Sequence, residues 1–143
     1  MTLRRRLRAP TKSTQSEDPR LARLFDYTKF HIGVYLSAGS GLLAMAALAV
    51  EHGSVLNEVV GSPLALVVAV LAMLFAGLAG GVVASACTRC RTFEELWDGV
   101  QGPLRLFVGA TWANIEHTAF WISVALVAYS VISAPGVTAW IFR

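Results

Sequence analysis

The chain has 143 residues, of which 15% are charged, and a mean hydropathy of +0.59. A water-facing domain carries about 25% charged residues, and here the charges avoid the apolar runs, so composition argues against a soluble fold and for one domain in lipid. The net charge of +3 hides an asymmetry: Arg4, Arg5, Arg6, Arg8, Lys12, Arg20, Arg23 and Lys29, eight of the twelve basic residues, all precede His31.

Residues 1–17 have no periodic apolar pattern and read as a basic flexible arm. Beside an anionic leaflet each Lys or Arg contributes about 1 kcal/mol of attraction, so the expected partners of the arm are anionic headgroups rather than nucleic acid. The first apolar run starts too late and is too long for a secretory signal. The acid-poor, Arg/Ser/Thr-rich start leaves a mitochondrial presequence as a minor alternative. The remainder, 18–143, reads as a single helical transmembrane domain.

Asp18 and Pro19 open a helix, as N-cap and first-turn proline. Over about 19–29, Leu21, Leu24, Phe25 and Thr28 share one face, opposite Arg20 and Arg23, which predicts an interfacial helix. Span one follows at about 30–50, the length needed to cross roughly 30 Å of hydrocarbon at about 1.5 Å per residue. Gly33, Ser37 and Gly41 recur every four residues along it. Tyr27, Phe30 and Tyr35 are expected at the interface, where amphipathic rings are favoured.

An acidic loop leads to Gly61-Ser62-Pro63, a cap and first-turn proline for span two at about 63–86. Gly77, Gly81 and Ser85 form one small-residue row; Ala72, Ala76, Gly80 and Ala84 form another beside it. Helices associate in lipid chiefly through close packing, which small residues permit. Gly33, Ser37, Gly41, Gly77, Gly80, Gly81 and Ser85 are therefore the candidate helix-packing residues.

Thr92 and Glu95 fit a capping box for a short amphipathic helix over about 93–101. Leu104, Phe107, Val108, Thr111, Trp112 and Ile115 predict a second interfacial helix over about 104–116. Span three, about 118–134, sits at the lower limit for crossing unless it borrows a turn from the preceding helix. Pro135-Gly136 should end it. The expected fold class is thus an all-α integral membrane protein, with three transmembrane helices plus short amphipathic interfacial helices.

Lys/Arg bias sets orientation. The arm and the loop carrying Arg89, Arg91 and Arg105 are basic, and the loop after span one has no Lys or Arg. This predicts a cytoplasmic N-terminus; the Arg-, Ala- and Gly-rich composition suggests a bacterial inner membrane.

That topology gathers Lys29, His31, Trp112, Glu116 and His117 near one surface, as a candidate polar interfacial site. His31 and His117 with the Cys87-Thr-Arg-Cys90 pair offer a donor set that tetrahedral zinc accepts, though no second CxxC completes the usual spacing. Arg89 and Arg91 should favour thiolates. The two histidines could instead be axial haem ligands. A pairing of Glu116 with Lys29, Arg89 or Arg105 would stabilise both charges, while a Glu-His pair at a span end commonly just marks the water boundary. Small interfacial polar residues and packed cysteines are the commoner explanation, so no cofactor is required.

No GxSxG, HExxH, Walker or GxGxxG pattern is present, and no catalytic residue is identified. The leading expectation is a non-enzymatic protein acting through helix packing, as a homo-oligomer or as an accessory subunit of a membrane complex. The alternatives are an oligomeric pore or permeabilising effector, and a haem- or metal-bearing redox subunit.

Overall fold

The computed structural model describes residues 18–51 and 60–142; the basic arm and most of the acidic loop lie outside the described residues. The elements are α1 (Pro19–Glu51), α2 (Pro63–Cys87), α3 (Phe93–Asp98), β1 (Val100–Gln101), β2 (Phe107–Val108), α4 (Gly109–Ile132) and α5 (Pro135–Ile141). Three of them, α1, α2 and α4, are long and apolar enough to cross a membrane. α2 is the central helix, and α1 and α4 both pack along it.

Local chemistry explains the helix starts. The Asp18 carboxylate accepts the Arg20 N–H at 3.0 Å, and the Ser62 hydroxyl accepts the Ala65 N–H at 3.3 Å. Both satisfy donors that the first turn leaves without a helical partner. Thr92 caps α3 through the Glu95 N–H at 3.1 Å. Glu95 reaches back one residue further than a capping box requires, taking the Arg91 N–H at 2.8 Å.

Three expectations are corrected. The 19–29 segment is not a separate interfacial helix, because no Gly or Pro interrupts the chain there and α1 runs unbroken over 33 residues. The 93–101 helix stops at Asp98, where Gly99 becomes extended and leads into β1. There is also no interfacial helix over 104–116. Gly102, at φ +88°, turns the chain, so that Val100 pairs with Val108 and Gln101 with Phe107 in an antiparallel hairpin. Gly suits that left-handed backbone. α4 then starts at Gly109, where a Cβ would collide with the Leu96 carbonyl. α4 therefore takes over the second half of the expected interfacial segment, and its 24 residues span about 36 Å.

Two apolar clusters hold the bundle. Near the end where α1 begins, Leu21, Val83, Ala86, Cys87, Leu96 and Ala113 are buried together, with Phe93, Trp97 and Trp112 against them. Further along, Tyr35, Met73, Ala76 and Ala119 form a second cluster. At the opposite end Ser130 ties α4 to the start of α2: its hydroxyl donates to the Ser62 carbonyl at 3.0 Å, and its carbonyl accepts the Gly61 N–H at 2.8 Å.

The burial pattern of α4 inverts that of a soluble helix. Gly109, Ala113, Glu116, Ala119, Ser123 and Ser130 face inward. Trp121, Ile122, Val124 and Ile132 face out. Large apolar side chains outside and small or polar ones inside suit a hydrocarbon surround.

Candidate functional site

The most unusual side chain is Glu116. It is 2% exposed and lies two turns, about 10 Å, inside α4. The helix therefore starts nine residues earlier than the expected span three at about 118. Among the described residues Glu116 has no Lys or Arg partner. Among the described residues the ion pairs join Arg20 to Asp18 and to Glu94, at 3.1 and 2.7 Å. Lys29, Arg89 and Arg105 do not reach it; Arg89 instead donates to the Ser85 carbonyl at 3.2 Å.

Its partner is Tyr35 of α1. The phenol, 1% exposed, donates to Glu116 Oε1 at 3.1 Å. Gly80 of α2 makes the space: a Cβ there would stand 3.2 Å from Glu116 Cδ and 3.2 Å from Ile32 Cγ1. Three helices thus meet at one carboxyl.

Tyr27, His31 and Tyr35 lie four residues apart, on one face of α1. The His31 ring stands 4.0 Å from Tyr27, 5.8 Å from Tyr35 and 6.1 Å from His117, centre to centre. Hydrogen bonding assigns both tautomers. His31 Nδ1 faces the Tyr27 carbonyl at 3.0 Å, and His117 Nδ1 faces the Ala113 carbonyl at 2.8 Å. A carbonyl only accepts, so each Nδ1 carries the hydrogen. His117 Nε2, left as an acceptor, receives the Tyr27 hydroxyl at 3.2 Å. Tyr27 is 48% exposed and joins this array to the surface.

Of the five residues expected to form the polar site, His31, Glu116 and His117 come together. Lys29 faces outward onto an open groove with Asp26, Phe30, Gly33 and Ser37. Trp112 donates its indole N–H to the Gln101 carbonyl at 3.2 Å and supports the hairpin. Tyr27 and Tyr35 complete the site. Sequence reasoning places both as interfacial rings, although their four-residue spacing with His31 is visible in the chain.

The expected zinc set is not assembled. Cys87 lies in the apolar cluster with Leu21 and Leu96, and Cys90 accepts the Gln101 side-chain amide at 3.6 Å. Among the described residues no three of His, Cys, Asp or Glu converge as a metal site. The cysteines are free. Burial and then the Glu95 charge push the Cys90 thiol up, and the opposite pull of Gln101 and Arg89 is smaller.

The candidate packing residues divide between two surfaces. Gly80 is buried against α1 and α4, with Ala76 one turn away. A Cβ added at Gly33, Gly41, Gly77 or Gly81 would meet nothing within 4 Å. Ser37 and Ser85 are exposed. No protein-family model, curated protein or solved structure matches this chain.

Proposed function

We propose that the chain is a membrane subunit that works by assembly, placing its outward small-residue rows against α1 and α2 of a second copy. The supporting observation is the open space around Gly33, Gly41, Gly77 and Gly81. Outward glycines lower the contact area with lipid but let a neighbouring backbone approach closely. The groove lined by Lys29, Phe30, Gly33, Val34, Ser37 and Ala38 continues the α1 row toward the charged end.

The same reading sets the protein in a bacterial inner membrane with the start of α1 on the cytoplasmic side. Arg20, Arg23, Arg89, Arg91 and Arg105 all belong to the end of the bundle built from α3 and the hairpin. Basic residues concentrate on the cytoplasmic face.

The rival readings have less support. A channel within one chain lacks free inward hydroxyls, since Ser123 donates to the Ala69 carbonyl at 2.8 Å and Ser130 is bonded to Ser62, and an oligomeric lumen would have to use the outward Ser37 row that assembly already engages. A metal-based redox role lacks a converged ligand set among the described residues.

The test is the mass of the full chain in lipid nanodiscs or mild detergent, by native mass spectrometry. Wild type is expected as a dimer or higher oligomer. Gly33→Leu and Gly77→Leu/Gly81→Leu should shift it toward monomer with unchanged helicity, because a Cβ at each position meets nothing within 4 Å in the chain. A monomeric wild type, or an oligomer indifferent to all three substitutions, overturns the proposal.

A further inference from the structure

Glu116 is not needed for the assembly surface. It points into the bundle, away from the outward glycines. Packing alone would be served by Gln or Leu at this position, without the cost of an ionisable group in hydrocarbon. Such groups inside a membrane helix are rare and usually face one another or a pathway.

The groups around it are few. α1 presents Tyr27, His31 and Tyr35; α2 presents Gly80; α4 adds His117. Among the described residues no permanent cation stands with them. A buried carboxylate with no fixed counter-charge neutralises by taking a proton. Its single phenolic donor, Tyr35, leaves its second oxygen free to carry that proton.

The array also has a direction. Tyr27 reaches the surface near the end where α1 begins, and its hydroxyl meets His117 Nε2. The His31 ring lies between Tyr27 and Tyr35 and 6.1 Å from the His117 ring, so the two imidazoles line the way from Tyr27 to the Tyr35–Glu116 pair without hydrogen-bonding to the carboxyl. Beyond Glu116, toward the far end, the inward hydroxyls of Ser123 and Ser130 are committed to the Ala69 and Ser62 carbonyls. Among the described residues the polar array therefore opens toward the end where α1 begins.

We propose that Glu116 is a proton-binding site inside the membrane, approached from the end where α1 begins along a path lined by Tyr27, His117 and His31. In the filling step an acid at that surface gives up one proton: its own bond to that hydrogen breaks, its conjugate base stays in the water, an O–H bond forms on Glu116, and Tyr27, His117 and His31 end in the states they began in. The carboxyl goes from −1 to 0, and no other reactant is consumed. The site binds protons without conducting them across. It depends on the membrane reading and is independent of assembly, since every group belongs to one chain.

The test uses the full chain in phosphatidylcholine/phosphatidylglycerol nanodiscs. Infrared difference spectra between about pH 5 and about pH 9 should show a protonated-carboxyl band that shifts in deuterium oxide and changes amplitude with pH. Glu116→Gln should abolish it; the amide can still accept from Tyr35, so the bundle is retained. Dicyclohexylcarbodiimide, which attacks protonated carboxyls from the lipid phase, should label Glu116 in the wild-type chain, faster at acid pH. Tyr27→Phe and His117→Asn should keep the band but slow its response to a pH jump about tenfold. Overturning results are the absence of any band that Glu116→Gln removes, a band indifferent to pH, or an unchanged jump response in both relay variants. A rapid proton leak in proteoliposomes would also reject the one-sided site. A monomeric mass with a titrating band would reject assembly alone.

Discussion

Tyr35 donates a hydrogen bond to Glu116 across 3.1 Å, linking α1 to α4 beside Gly80 of the helix between them. Removing the hydroxyl leaves a buried carboxyl without its donor. That loss is worth about 1–3 kcal/mol for a group this enclosed. Tyr35→Phe should lower thermal stability in detergent accordingly, while Tyr129→Phe, at an exposed position, should change nothing. Equal melting temperatures for both variants would show that the bond contributes no net stability.

Gly80 and Gly77 are one turn of α2 apart but face different surroundings. A methyl group at Gly80 would stand 3.2 Å from both Glu116 and Ile32, closer than ordinary packing, whereas one at Gly77 meets nothing. Overpacking of this kind costs about 1–3 kcal/mol. Gly80→Ala should destabilise the isolated chain and Gly77→Ala should not, as read by thermal unfolding of dilute protein. A Gly80→Ala chain as stable as wild type would mean that Glu116 and Ile32 give way easily.

These neighbours also show what sequence could reveal. The three apolar runs and the caps at Asp18, Ser62 and Thr92 depend on residues close together in the chain, so their pattern was legible. Leu104 to Ile115 mimicked a helical face because a hairpin formed by Val100 and Val108 leaves no local signature. Likewise, the two small-residue rows on α2 were both visible, but which one turns inward depends on the rotation of α2 against Glu116. Tyr35 could be placed on the face of His31 by spacing alone; its partner, 81 positions away, could not.

The two cysteines should differ in reactivity. Cys87 is buried among apolar side chains, while Cys90 is partly accessible beside Gln101. The Cys90 thiol is pushed up by burial and then by Glu95, which leaves little thiolate at neutral pH. Alkylation proceeds through the thiolate. Maleimide labelling of the native chain should therefore be slow at about pH 7 relative to a free cysteine, rise steeply toward about pH 9, and fall on Cys90 before Cys87. Glu95→Gln should accelerate it. Fast labelling at neutral pH, or Cys87 reacting first, would contradict this environment.

Asp18 joins the first turns of two helices. It caps α1 through Arg20 and accepts the Phe93 N–H of α3 at 2.9 Å, while Arg20 bridges to Glu94 and lies 5.2 Å from the Phe93 ring. The Phe93 amide first, and then Arg20, hold the Asp18 carboxyl down at about 2, from 3.8. Because the folded value is depressed, the folded chain binds fewer protons than the unfolded chain in that interval. The contribution is complete above pH 3.8 and is lost as pH falls through about 2. The Phe93 amide resonance should therefore titrate with a midpoint close to pH 2, with α3 loosening over the same interval. Asp18→Asn should retain much of the cap yet weaken the bond to Phe93, so that proteolysis between Cys90 and Thr92 becomes faster at neutral pH. A Phe93 midpoint near the unperturbed carboxylate value, or no change in cleavage, would show that α3 is held by its apolar contacts with α4 rather than by this carboxylate.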